Sequence, residues 1–124
     1  MSTPNIITTS SIVGVSTFLN LTSTSATVLV TNPASSNKIF KVNSIIVAND
    51  SNIGVAKISV RIHNAANGGG VGFNIANNVS IANEVTLILI DRASSIYLEE
   101  DRSIVVQANT ANYLDIICSF ETIL

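Results

Sequence analysis

The chain has 124 residues with six Lys and Arg against eight Asp and Glu, a formal net charge of −2, and 11% charged against 47% hydrophobic residues; soluble domains ordinarily carry about 25% charge. That length fits one domain around one core, and the scatter of Lys38, Lys41, Lys57, Arg61, Arg92 and Arg102 excludes the concentrated basic face of a nucleic-acid binder. One cysteine and one histidine exclude an internal disulfide framework and leave metal and triad chemistry without its usual ligands.

The first 37 residues carry no charged side chain and run through Ile6-Ile7-Thr8-Thr9 and Ser16-Thr17-Phe18-Leu19. Two readings stand open. The segment is an extended arm with one or two weakly specified strands, or it pairs with a neighbouring subunit, because an edge rich in Thr and Ile recruits another chain unless it is blocked. Residues 1–25 are therefore set apart as an uncharged N-terminal arm or first strands, with Ile6, Ile7, Phe18 and Leu19 as candidate assembly residues; residues 26–124 form the main domain.

From Ala26 the pattern is regular. Val28 to Thr31 reads as a strand, closed by the loop Asn32 to Asn37, in which Pro33 cannot donate to a ladder. Phe40 to Asn49 is the next strand, and Asn49 to Gly54 a turn. Ala56, Ile58, Val60 and Ile62 then alternate with Lys57, Ser59, Arg61 and His63, the pattern of a strand with one buried and one wet face. Gly68-Gly69-Gly70 and Gly72 end it. Phe73 to Ile81 is extended, Asn83-Glu84 a turn, and Val85 to Ile90 a strongly apolar strand closed by Asp91-Arg92. Ser95 to Leu98, Ser103 to Ala108 and Tyr113 to Thr122 follow, separated by the acidic turn Glu99-Glu100-Asp101 and by Asn109 to Asn112.

Turn signals recurring about every 8–12 residues point to an all-β antiparallel sandwich. About eight strands in two sheets of four would share one core; a jelly-roll-like sandwich is the leading architecture, an immunoglobulin-like one the alternative. The polarity missing from charge is supplied by Asn, Ser and Thr, which solvate a surface without the mutual repulsion that keeps charged monomers apart. Such a surface suits a protein packed against copies of itself.

No constellation points to chemistry. His63 lies on the polar face of its strand as a solvated imidazole, and Cys118, between Ile116 and Phe120, reads as a small buried hydrophobe. Glu99, Glu100 and Asp101 form an exposed acidic turn; adjacent side chains point apart and cannot flank a scissile bond. The glycine run lacks the Lys and helix of a phosphate-binding loop. No catalytic, cofactor-binding or metal residues are expected, nor an enzyme. The start lacks a secretory signal and runs such as Leu87 to Ile90 are too short to span a bilayer, so no membrane partner is expected.

The stretch Lys38-Ile39-Phe40-Lys41-Val42-Asn43-Ser44-Ile45-Ile46-Val47-Ala48-Asn49, after Thr31-Asn32-Pro33-Ala34, resembles a pattern in small virion proteins of tailed phages, especially those of marine cyanobacteria. Ser95-Ile96-Tyr97-Leu98-Glu99-Glu100-Asp101-Arg102-Ser103-Ile104 and Asp115-Ile116-Ile117-Cys118-Ser119-Phe120-Glu121 are similar in the same order, and the three are spread along most of residues 26–124. Asp101 stands where a glycine is usual and Phe120 where a tyrosine is usual. The resemblance implies a virion structural protein, made in the host cytoplasm, whose partners are phage capsid or tail proteins. Capsid decoration or cementing is the first expectation, as a homo-oligomer that analogy with decoration proteins makes a trimer. A tail, neck or fibre protein, or a carbohydrate- or receptor-binding module, is the alternative.

Overall fold

The computed structural model describes residues 5–124, and among them nine strands and two short 3-10 turns. One sheet orders β1 (Ile12–Asn20), β9 (Leu114–Ile123), β3 (Ile39–Asn49) and β6 (Thr86–Ile90), with β7 (Ile96–Leu98) continuing the β6 side along the start of β3. The other orders β2 (Thr27–Asn32), β8 (Arg102–Ala108), β4 (Ala56–His63) and β5 (Gly72–Ile81). Every pairing is antiparallel. The expected two sheets of four become five strands and four, because β7 occupies a stretch of β3 that β6 does not reach. β1 lies on β9 and β2 on β8, so the first and last strands pair with each other around β3 and β4 in an all-β antiparallel sandwich of two sheets.

Alternation places the core. On β9, Leu114, Ile116, Cys118 and Phe120 point inward while Asp115, Ile117, Ser119 and Glu121 point outward. Val42, Ile45 and Val47 of β3 meet Ile58 and Val60 of β4 and Ile104 and Val106 of β8, all fully buried. Val42 and Ile45 have opposite parity, and both face inward because a bulge at Asn43 breaks the register with β9. A second bulge, between Val28 and Val30, lets the adjacent Leu29 and Val30 both be buried. Phe40 and Phe120 pack ring against ring at 4.9 Å.

Two buried asparagines tie the sheets together. Asn32, at the end of β2, donates its amide to the carbonyls of Lys38 and Leu98 at 3.0 Å each and accepts from Ser36 Oγ. Asn49, at the end of β3, donates to the carbonyls of Gly54 and Ile81 at 3.0 Å each and accepts from the Ser51 N–H at 3.0 Å. Each reaches a strand end in the opposite sheet. Other asparagines take left-handed backbone conformations in loops or, for Asn78, within β5: of the seven described non-glycine residues with positive φ, Asn37, Asn67, Asn78 and Asn112 are four, and Asn tolerates that region better than most side chains.

Candidate assembly surface

The four candidate assembly residues do not form one unit. Ile6 and Ile7 lie in the turn before β1 and are exposed, with the Ile7 N–H bonded to Asn5 Oδ1. Phe18 and Leu19 lie within β1, whose residues pair with β9 from Ile12↔Ile123 to Asn20↔Asp115. Leu19 points inward and packs on the core, whereas Phe18 points outward and is 74% exposed. Part of the 1–25 segment is therefore a strand of this chain's own sheet, and removal of residues 1–19 would strip that strand away.

Phe18 begins a row of apolar side chains across the outer face of its sheet. It sits opposite Ile117, Ile117 opposite Ile46, and Ile46 opposite Ile88. Ile117 and Ile88 are exposed and Ile46 half-buried. A neutral row lies beside it: Ser16, Ser119 and Ser44, with 2.9 Å between the Ser16 and Ser119 hydroxyls. The outer face of the opposite sheet is more polar, carrying Lys57, Ser59, Arg61 and Gln107 beside Val28 and Val105, and Arg61 Nη1 donates to Gln107 Oε1 at 3.3 Å. Adjacent cross-strand apolar residues, rather than any single exposed one, mark a contact surface. Only pairing register could have revealed this row.

The edge of β1 is the second feature of this surface. β1 is the outermost strand of its sheet, and among the described residues its Ile12–Asn20 backbone forms no hydrogen bond to any strand but β9. It contains no charge and no proline, the usual devices that blunt an edge.

Two residues differ from expectation. His63 is half-buried rather than solvated: its Nδ1 lies 3.1 Å from the Gly69 carbonyl, and its ring lies over Gly72, where a Cβ would come within 2.7 Å of Nε2. The Gly68–Gly70 loop that folds over the strand end supplies this partner. The acidic turn also divides. Glu99 is exposed and Asp101 is half-buried, accepting from the Ala66 N–H at 3.0 Å, but Glu100 is fully buried with neither carboxyl oxygen hydrogen-bonded. The inward parity of Ile96 and Leu98 continues past the end of β7 to Glu100. Asp101 has φ 57°, so the turn uses the left-handed conformation that a glycine adopts without strain.

Cys118 is buried, and burial pushes its thiol from 9.0 up to about 12. The folded-state value lies above the unfolded one, so this thiol's contribution to stability is complete below pH 9 and is lost as pH rises from there toward 12. Cys118→Ala is expected to remove that part of the alkaline loss, read as the difference between the two proteins' urea midpoints across this range. In the native protein the thiol should resist maleimide near pH 8 and react once the protein is unfolded. Among the described residues, no three His, Cys, Asp or Glu side chains gather where a metal could be held.

No protein-family model and no curated protein matches the sequence. Among solved structures, a subunit of the Bacillus endospore appendages, described as a family of disulfide-linked pili, aligns at a TM-score of 0.54 with 11% identity over 98% of this chain and 95% of that one. A capsid protein of Helicobacter pylori bacteriophage KHP30 aligns at 0.47 with 10% identity over 94% and 90%, and one of Ralstonia phage GP4 at 0.46 with 12% identity over 100% and 90%. The appendage subunit spans nearly the same length as this chain, and at 11% identity the likeness establishes that the two share a fold.

Proposed function

We propose that this chain is a structural subunit that acts by multi-copy protein–protein assembly rather than catalysis, in the virion of a tailed phage, where it decorates or cements the capsid. The observation that carries the assembly reading is the free, uncharged edge of β1, flanked on its outer face by the apolar row from Phe18 to Ile88. Strand pairing at that edge and burial of the row, worth ~25 cal/mol per Å² removed from water, supply affinity that symmetric repetition multiplies. The virion placement is supported by the sequence resemblance centred on residues 38–49, 95–104 and 115–121. The low charge suits a subunit surrounded by protein. Lone Cys118 is buried, so copies of this chain associate without an intersubunit disulfide at that residue.

The test is co-sedimentation with purified cyanophage heads that lack this chain. Binding at fixed stoichiometry, weakened at least tenfold by Phe18→Ser with Ile88→Ser, is the expected result. Binding to purified tails and not to heads would move the subunit to the tail or neck. Binding to neither, with saturable binding to a host glycan, would overturn the structural reading. Truncation before Ile12 tests the contribution of Ile6 and Ile7 while leaving β1 in its sheet.

A further inference from the structure

Among the described residues the sandwich has several strand edges, and all but one are blunted. β2 is six residues long and bulged, β5 breaks register twice against β4, β6 is five residues long with a register shift, and β7 has three residues. β1 runs nine residues in unbroken register. It also overhangs the opposite sheet. Val13 and Val15 point toward the core side yet are 50% and 39% exposed, and a groove of about 420 Å³ lined by Val15, Thr17, Leu29, Phe40 and Phe120 lies beneath them. A further strand therefore has room beside β1.

We infer that the strand seated there is β1 of a second copy, antiparallel across a two-fold axis normal to the sheet. This rests on the assembly reading above and names its partner. In a two-fold contact the residue on the axis meets its own copy and its immediate neighbours meet each other, so a charge at the centre of such an edge faces a like charge. β1 has none to oppose. Antiparallel strands keep outward residues opposite outward ones, and only the register centred on Ser16 pairs all nine residues.

In that register Gly14 lies opposite Phe18 and Ile12 opposite Asn20 on the outer face, while Val13 lies opposite Leu19 and Val15 opposite Thr17 on the inner one. Gly14 has no atom within 4 Å of where a Cβ would stand, and the exposed Phe18 ring of the second copy covers that bare backbone; an aromatic across from an edge glycine restores the packing the glycine lacks. Val13 and Val15 gain cross-strand neighbours over the groove. The two sheets become one continuous sheet through β9–β1 and β1–β9, and its unit is even-numbered. A trimer would need another surface.

Ser16→Cys tests the register, since each new thiol would face its own copy at the two-fold axis, and Cys118 is buried away from it. Mild oxidation of the native protein is expected to convert most of it to a disulfide-linked dimer, while Asn109→Cys, on an exposed turn, gives little. Light scattering of the parent chain should give twice 13.0 kDa, and Val15→Lys should return it to one copy with an unchanged circular dichroism spectrum. A parent chain of one copy throughout the micromolar range, Ser16→Cys linking no better than Asn109→Cys, or a Val15→Lys protein that stays paired would each overturn the inference. A Ser16-linked dimer that ignores heads and tails leaves it standing and sinks the virion reading; a single copy that binds heads does the reverse.

Discussion

Asn49→Ala is expected to lower the unfolding free energy by ~3 kcal/mol, and Asn32→Ala by a similar amount, because each removes three hydrogen bonds and leaves buried backbone groups without partners. The Asn49 amide bridges the Gly54 and Ile81 carbonyls while its Oδ1 holds the Ser51 N–H. The Asn32 amide bridges the Lys38 and Leu98 carbonyls. Asn49→Asp is the sharper variant. It retains the acceptor toward Ser51 but loses both donors, so it should cost at least as much as alanine. Urea unfolding read by circular dichroism checks this; a loss under about 0.5 kcal/mol for Asn49→Asp would show that the donated bonds do not hold the sheets together. A smaller urea slope would instead mean that the native state has loosened.

Glu100→Met should go the other way and raise stability by ~1–3 kcal/mol. Glu100 is fully buried and both carboxyl oxygens lack hydrogen bonds, so its polar end has lost water without gaining a partner. Met has a similar length and an unbranched stem and can occupy that space without polar atoms. A rise of several degrees in melting temperature is the expected readout. Glu99→Met, at an exposed neighbour on the same turn, should change it by no more than a degree or so, within the range of ordinary surface substitutions. A fall with Glu100→Met would mean that the carboxyl group supports the turn into β8.

The strands were readable because β-branched runs are separated by Asn, Gly and Asp. Ala56 to Ile62 was expected as an alternating strand and is β4, Ala56–His63; Phe73 to Ile81 was expected as extended and is β5, Gly72–Ile81. Asparagine was harder. Composition assigns it to surface polarity, yet Asn32 and Asn49 are buried between sheets, and nothing local marks which strand ends will meet. Ser59 also lies on the expected polar face but is buried, exchanging hydrogen bonds with Asn78 across a register break. Glu100 departs from expectation for a different reason: its acidity points to solvent, but it continues the inward parity of Ile96 and Leu98, and position prevails.

The candidate surface was legible only in outline. The absence of charge before Lys38 and the β-branched run around Phe18 are properties of the sequence alone, and they suffice to mark the segment as open to pairing. That Phe18 faces solvent while Leu19 enters the core follows from β1 lying on β9, a contact between residues as far apart as Ser16 and Ser119, 103 positions along the chain. The row reaching Ile88 needs four strands in one register.

By itself, the sequence determined an all-β chain, the places where it turns, the burial of Cys118 and a stretch without charge, because period-two patterning, turn residues and charge act over a few neighbouring residues. Tertiary structure decided which strands became edges, which bulges turned Leu29 and Ile45 inward, and that one long edge stays unprotected, because hydrogen-bond partners and shared burial are set by strands far apart in sequence.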